Sequence, residues 1–278
     1  MVKGATYGNL TRPSGRQHLA GFESSNSALS RFLYPITWRD TVFVKDDFTG
    51  NVINTHLWTV GNTAGTLWIG TSTQLANGTI TGVTGATNGD EQAIHGEAVW
   101  NGNLNCGMEI RFKIDDATGV LLETGFTDPL TAITAPAIND VDTPSITNGA
   151  TDVAIVVRDT GQDLATFAYV TDGSTASMDT TATSLGTRSP TNATFMTVRV
   201  QLSQFPSGTL DAVSNLAASS AYLLDANDGV TDEAHHGDAI ASQIAGNVLL
   251  RPWFYVAPLA SAARTVDIDY IAVWQDRR

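Results

Sequence analysis

Residues 266–278 read VDIDYIAVWQDRR. In an unbroken strand, successive side chains point to opposite sides. Val266, Ile268 and Tyr270 then share one face, and Asp267, Asp269 and Ile271 the other. This is the pattern of a half-buried strand, with one side on a core and one in water. The two acids either serve a site or keep an outward face wet.

The same period recurs upstream. In GMEIRFKI (107–114), Met108, Ile110, Phe112 and Ile114 alternate with Glu109, Arg111 and Lys113. TVFVKDDF (41–48), VLLETGFTD (120–128), FMTVRVQLS (195–203), SAYLLDANDGV (220–230) and LLRPWFYVA (249–257) are further strand candidates. TLWIGTSTQLANGTITGV (66–83) reads as two short strands around the Asn77-Gly78 hairpin signal. ATDVAIVVRDTGQDLATFAYV (150–170) reads as a hairpin closed at Asp159–Asp163, and Asn101-Gly102 marks another turn. Residues 128–150 read as a long polar loop. About twelve short strands with Gly and Asn turns and no fixed repeat indicate an all-β sandwich or barrel.

Composition agrees. Apolar residues make up 42% of the 278-residue chain and charged residues only 15%. The first figure supports a sizeable core, and Thr, Ser, Asn and Gly in place of charge favour strands and turns. The one cysteine, Cys106, excludes an internal disulfide or a Cys-based zinc cage, and it reads as a small core residue. No signal-peptide core and no apolar run long enough to span a bilayer is present. The expectation is synthesis in a cytoplasm, with no membrane association.

Net charge is −13, which argues against nucleic acid as a partner. The charge is uneven. Lys3, Arg12, Arg16, Arg31 and Arg39 against Glu23 and Asp40 leave residues 1–40 at +3 and the remainder at −16. Residues 1–40 show no clean period and carry Phe22, Phe32, Tyr34 and Trp38. They read as an extended basic arm that either folds back on its own domain or docks on a neighbour.

Two motifs carry a resemblance. DDFTGNVINTHLWTVGN (46–62) is similar to the opening of laminarinase-type, concanavalin A-like jelly rolls, and RTVDIDYIAVWQ (264–275) resembles their closing strand. EIRFKI and LLRPWFYVA lie where such folds place paired sheet strands. The resemblance implies a two-sheet antiparallel jelly-roll sandwich over residues 41–278. It also implies that the first and last strands, TVFVKDDF (41–48) and RTVDIDYIAVW (264–274), lie side by side, with Phe43 and Phe48 near Tyr270 or Trp274 and with Trp58, Trp253 and Trp274 in the core.

Catalytic glucanases of that group carry Glu-x-Asp-x-x-Glu on one strand, since retention needs two carboxylates about 5 Å apart. The motif is absent. Glu91 to Glu97 has no Asp between, Asp267-Ile-Asp269 has no following acid, and Asp140-Val-Asp142 lies in a Pro-rich loop. No nucleophile elbow or phosphate loop is present either. An enzyme is not expected.

The oxygen-rich loop DANDGVTDEAHHGD (225–238) offers Asp225, Asn227, Asp228 and Asp232 as calcium ligands, although the EF-hand spacing fails and a solvated acidic loop is the alternative. Trp68 and Trp100, beside turn residues, are candidates for stacking on sugar rings or for the core. Jelly rolls without catalytic acids, preceded by a basic arm, resemble accessory structural proteins of tailed-phage virions. That resemblance implies a decoration or minor capsid role, in a virion assembled in the host cytoplasm. Arg12, Arg16, Phe22, Arg31, Phe32, Tyr34, Trp38 and Arg39 would dock on the major capsid protein or another virion component. A homo-oligomer, for example a trimer, would fit a lattice symmetry point. A carbohydrate-binding module for host-surface glycan is the alternative reading, and a glycoside hydrolase with a displaced catalytic pair is the weaker one.

Overall fold

The alternating stretch Gly107–Ile114 is a strand that buries Met108, Ile110, Phe112 and Ile114 and leaves Glu109, Arg111 and Lys113 half-buried on its back. It belongs to a computed structural model that describes residues 41–49, 53–70, 78–130, 132–140, 147–162, 166–172, 183–185, 191–204, 216–224, 230–236, 244–245 and 248–277. The arm of residues 1–40 lies outside these.

In chain order the strands are β1 (Thr41–Asp46), β2 (Thr59–Asn62), β3 (Gly65–Gly70), β4 (Ile80–Thr84), β5 (Gln92–His95), β6 (Trp100–Asn101), β7 (Gly107–Ile114), β8 (Val120–Thr127), β9 (Ile138–Asp140), β10 (Thr147–Asn148), β11 (Val153–Asp159), β12 (Ala168–Asp172), β13 (Thr183–Ser184), β14 (Met196–Gln204), β15 (Leu216–Leu224), β16 (Val230–His236), β17 (Ile244–Ala245), β18 (Leu249–Pro258) and β19 (Thr265–Asp276). The first sheet runs β16-β15-β14-β7-β19-β4-β3, with β1 on β19 and β17 on β15. The second runs β13-β12-β11-β8-β18-β5-β2, with β6 on β18. The pairings within both sheets are antiparallel, and the architecture is a jelly-roll sandwich. Among the described residues the helical segments are two short 3-10 turns, at Gly102–Leu104 and Thr160–Gln162.

The core lies between the sheets. Phe112 of the first sheet meets Phe254 of the second edge-on at 5.2 Å, and Trp68 meets Phe254 at 5.8 Å. Ile80, Ile110, Leu122, Val156, Val198 and Ile268 complete it. Cys106 is buried there, and desolvation pushes its thiol up well above the usual range, so it is inert.

β1 pairs with β19 as expected, with Phe43 opposite Trp274. Asp46 explains the first motif. Its carboxylate accepts from the Phe48 main-chain N–H and from Trp58 Nε1, both at 2.9 Å. This holds Phe48 in a left-handed conformation (φ 49°) that a bulky residue adopts only under restraint. Gly78 is required beside it, because a Cβ there would lie 2.1 Å from the Phe48 carbonyl oxygen.

β19 departs from the expected alternation. Ile268 pairs with Phe112 and Tyr270 with Arg111, so Asp269 is an extra, bulged residue. The faces exchange at that point. Val266, Ile268, Ile271 and Val273 join the core, while Tyr270 and Trp274 turn to the back. Trp274 is still buried, lying flat over Gly107, where a Cβ would come within 2.3 Å of its ring.

Phe112→Ala should remove an inter-sheet contact and leave a cavity, costing about 3–5 kcal/mol of unfolding free energy. Urea denaturation checks this, and a loss under about 1 kcal/mol would contradict the placement of Phe112 at the centre.

Candidate functional site

The two sheets treat their outer faces differently. On the second sheet, Trp253, Tyr255 and Ala257 of β18, Leu121 and Glu123 of β8, and Val153, Ile155 and Val157 of β11 point away from the inter-sheet core. They are buried all the same. Residues 132–140 and 147–150 form a strap across them, in which Ala137 and Ile138 are fully buried and Ile133 packs close against Gly61. β9 and β10 pair within the strap, and the Gly149 main-chain N–H donates to the Ala137 carbonyl at 2.8 Å. The stretch expected to be a polar loop is therefore a cover with an apolar underside.

Beneath it lies a row of near-coplanar rings. Trp253 and Tyr255 are 6.0 Å apart at 12°, and His95 and Trp253 are 6.1 Å apart at 22°. Glu123 stands directly across from Tyr255 in the register of β8 and β18. It is 0% exposed. One of its carboxylate oxygens accepts from the Ala137 N–H (2.8 Å) and Trp253 Nε1 (2.9 Å), and the other accepts from the Ile138 N–H (2.9 Å). Among the described residues no salt bridge reaches it. Burial pushes its carboxyl up to about 7, against the pull of those three donors, and Asp159 on β11 adds to the rise. Asp159 shares this face but is also buried, so the two carboxylates do not form an open pair. The Glu-x-Asp-x-x-Glu pattern does not pick out Glu123, because it requires a second acid two residues away. A single Glu inside the apolar run VLLETGF was the available signal.

On the first sheet the outer face is wet and ionic. Lys113 pairs with Asp267 at 3.1 Å, Arg111 with Asp269 at 2.5 Å, and Arg199 with Glu109 at 2.6 Å. The Tyr270 hydroxyl donates to Glu109, and Lys45 lies 4.8 Å above the Tyr270 ring. Arg111 and Lys113 both lie over Phe195. Asp267 and Asp269 therefore anchor neighbouring strands.

Trp68 and Trp100 are 4% and 5% exposed, and Trp68 Nε1 donates to the Ala93 carbonyl at 3.0 Å. Both pack in the inter-sheet core, the second of the two readings given for them, and a ring buried there has no face left to stack on a sugar. Trp58 and Trp253 are buried as expected, although Trp253 lies under the strap and not between the sheets. Asp225, Asn227 and Asp228 fall outside the described residues, and Asp232 lies on β16 opposite Leu223. Among the described residues no three His, Cys, Asp or Glu side chains converge to hold a metal. Arg12, Arg16, Phe22, Arg31, Phe32, Tyr34, Trp38 and Arg39 fall outside the described residues as well.

No family model matches the chain, and no curated protein matches it. Several solved structures are similar. A protein of unknown function from Shewanella oneidensis MR-1 superimposes with a TM-score of 0.55 at 12% identity, covering 96% of this chain and 95% of that one. The Lotus tetragonolobus seed lectin gives 0.51 at 8% identity, covering 85% of this chain and 100% of that one. Lectin II from Ulex europaeus gives 0.51 at 12% identity, covering 86% and 100%. Likeness at these identities concerns the fold, which is a concanavalin A-like jelly roll.

Glu123 gives a pH dependence of known sign. Its carboxyl titrates at about 7 in the fold against 4.5 ordinarily, so the fold favours the protonated form. The stability this provides is fully present below about pH 4.5 and is lost as pH rises through about 7. Between pH 5 and pH 8 the wild type should lose on the order of 2–3 kcal/mol more than Glu123→Gln. Urea midpoints at the two pH values check this, and equal losses would refute it.

Proposed function

We propose that the chain is a non-catalytic structural protein, an accessory component of a tailed-phage virion that acts by binding. The observation that carries this reading is the strap. The chain itself fills the outer face of the second sheet, and the one carboxylate at its centre serves to hold that cover down. Covered in this way, the described part of that face offers a surface and leaves no open groove over Glu123.

The charge asymmetry supplies the attachment. Residues 1–40 at +3 suit an acidic lattice, and Phe22, Phe32, Tyr34 and Trp38 supply apolar area to offset the entropy of ordering an extended arm. The acidic body then faces solvent, and a homo-oligomer such as a trimer would match a symmetry point of the shell. The partner is the major capsid protein or another virion component. The virion role rests on this reading of the arm and on fold-level analogy.

A second reading is favoured by the likeness to two lectins: recognition of a host-surface glycan. With Trp68 and Trp100 buried, such a site would use other residues, and calcium from the 225–238 loop would be compatible with it.

Deletion of residues 1–40 should leave a folded body that no longer co-sediments with particles. Retained co-sedimentation would overturn the anchoring role of the arm. Binding of the intact body to a glycan array, without any particle association of the full chain, would replace the first reading with the second.

A further inference from the structure

We infer that residues 132–140 and 147–150 form a hinged cover that opens separately from the rest of the sandwich, with Glu123 as a latch whose ionisation state sets how often it opens.

The geometry carries this. The strap crosses a sheet that is already complete without it, so lifting it breaks no pairing within either large sheet. Among the described residues, the polar ties from the strap to the face beneath converge on one side chain: the Ala137 and Ile138 N–H groups both donate to Glu123. Ile133, Ala137 and Ile138 add apolar contact. At its ends the chain is held independently. The Asp128 N–H donates to the Asp152 carbonyl, and the Thr151 N–H donates to the Asp128 carboxylate. The strap can therefore swing on fixed ends.

The groups facing Glu123 are Asp159 from β11, Tyr255 from β18 and Trp253 Nε1; the strap presents main-chain N–H groups. None of these supplies positive charge. Closed, the carboxylate is desolvated, and its proton is held up to about pH 7. Open, it meets water and reverts toward the ordinary value of 4.5. Proton release therefore accompanies opening, and opening increases as pH rises between about 4.5 and 7. His95 stacks on Trp253, lies 3.2 Å from Arg251 of β18, and is held below its ordinary value by burial, so this pair on the same face must be separated from the effect.

Native-state hydrogen exchange on the intact chain tests the latch. Protection factors are corrected for intrinsic exchange and read at pH 5 and pH 8. The Ala137 and Ile138 amides should exchange far faster than those of Phe112 or Phe254, and their protection should fall more than about tenfold over this range. In Glu123→Gln the fall should disappear while His95 remains. Trp253→Phe removes a donor that favours the charged form, so it should move the fall to higher pH. Three results would overturn the latch: strap amides exchanging only together with core amides, pH-independent strap protection in the wild type, or a pH response that survives in Glu123→Gln.

Discussion

A buried carboxylate without a cation constrains everything on the second sheet. Removing a charge from water costs several kcal/mol even after relaxation, and a neutral partner offsets this only by donating well-aimed hydrogen bonds. Glu123 obtains three, two from the strap and one from Trp253. Two of these donors exist only while the strap lies flat. The charge on Glu123 and the position of the strap are thus one equilibrium. The cover also explains why β8 and β11 are buried along their whole lengths, a pattern usually met in sheets packed on both sides.

The fold was legible wherever alternation ran undisturbed. In 107–114 every odd-even assignment holds, because no residue is inserted and the outward side chains are long and charged. The pairings of β11 with β12 and of β3 with β4 follow the order expected from the sequence, while Asn77 and Asp163 of the expected turns lie outside the described residues. The alternation of 265–276 misleads at one residue. A bulge at Asp269 leaves no mark in composition, and it exchanges the positions expected for Tyr270 and Ile271.

The candidate site was much less legible, for a physical reason. A strap reads as a loop when its apolar residues are few and irregularly spaced, and Ile133, Ala137 and Ile138 within 128–150 are both. What makes them a cover is the face beneath, assembled from strands far apart in sequence. For the same reason a local window does not separate Trp253, roofed by the strap, from Trp68, enclosed between the sheets. Both read as large apolar residues on a strand. Glu123 was visible as a lone acid in an apolar run, but its meaning lies in the donors brought to it by residues 137 and 138.

The first sheet carries the opposite solution, and its charge distribution bears on assembly. These ion pairs are part-buried, and the cost of taking both charges from water offsets much of their attraction, so the network on this outer face is a poor candidate for the source of stability. Its effect is on the surface field. Lys45, Arg111, Lys113 and Arg199 are four of the ten basic residues in 41–278, and they stand among Glu109, Asp267 and Asp269. This face is close to neutral in a body of charge −16, which leaves the acid excess elsewhere. Two copies of so acidic a body repel most strongly where that excess lies. On the described part of this face the charges are already paired, and Phe43 is exposed at the edge of the Tyr270 and Trp274 row.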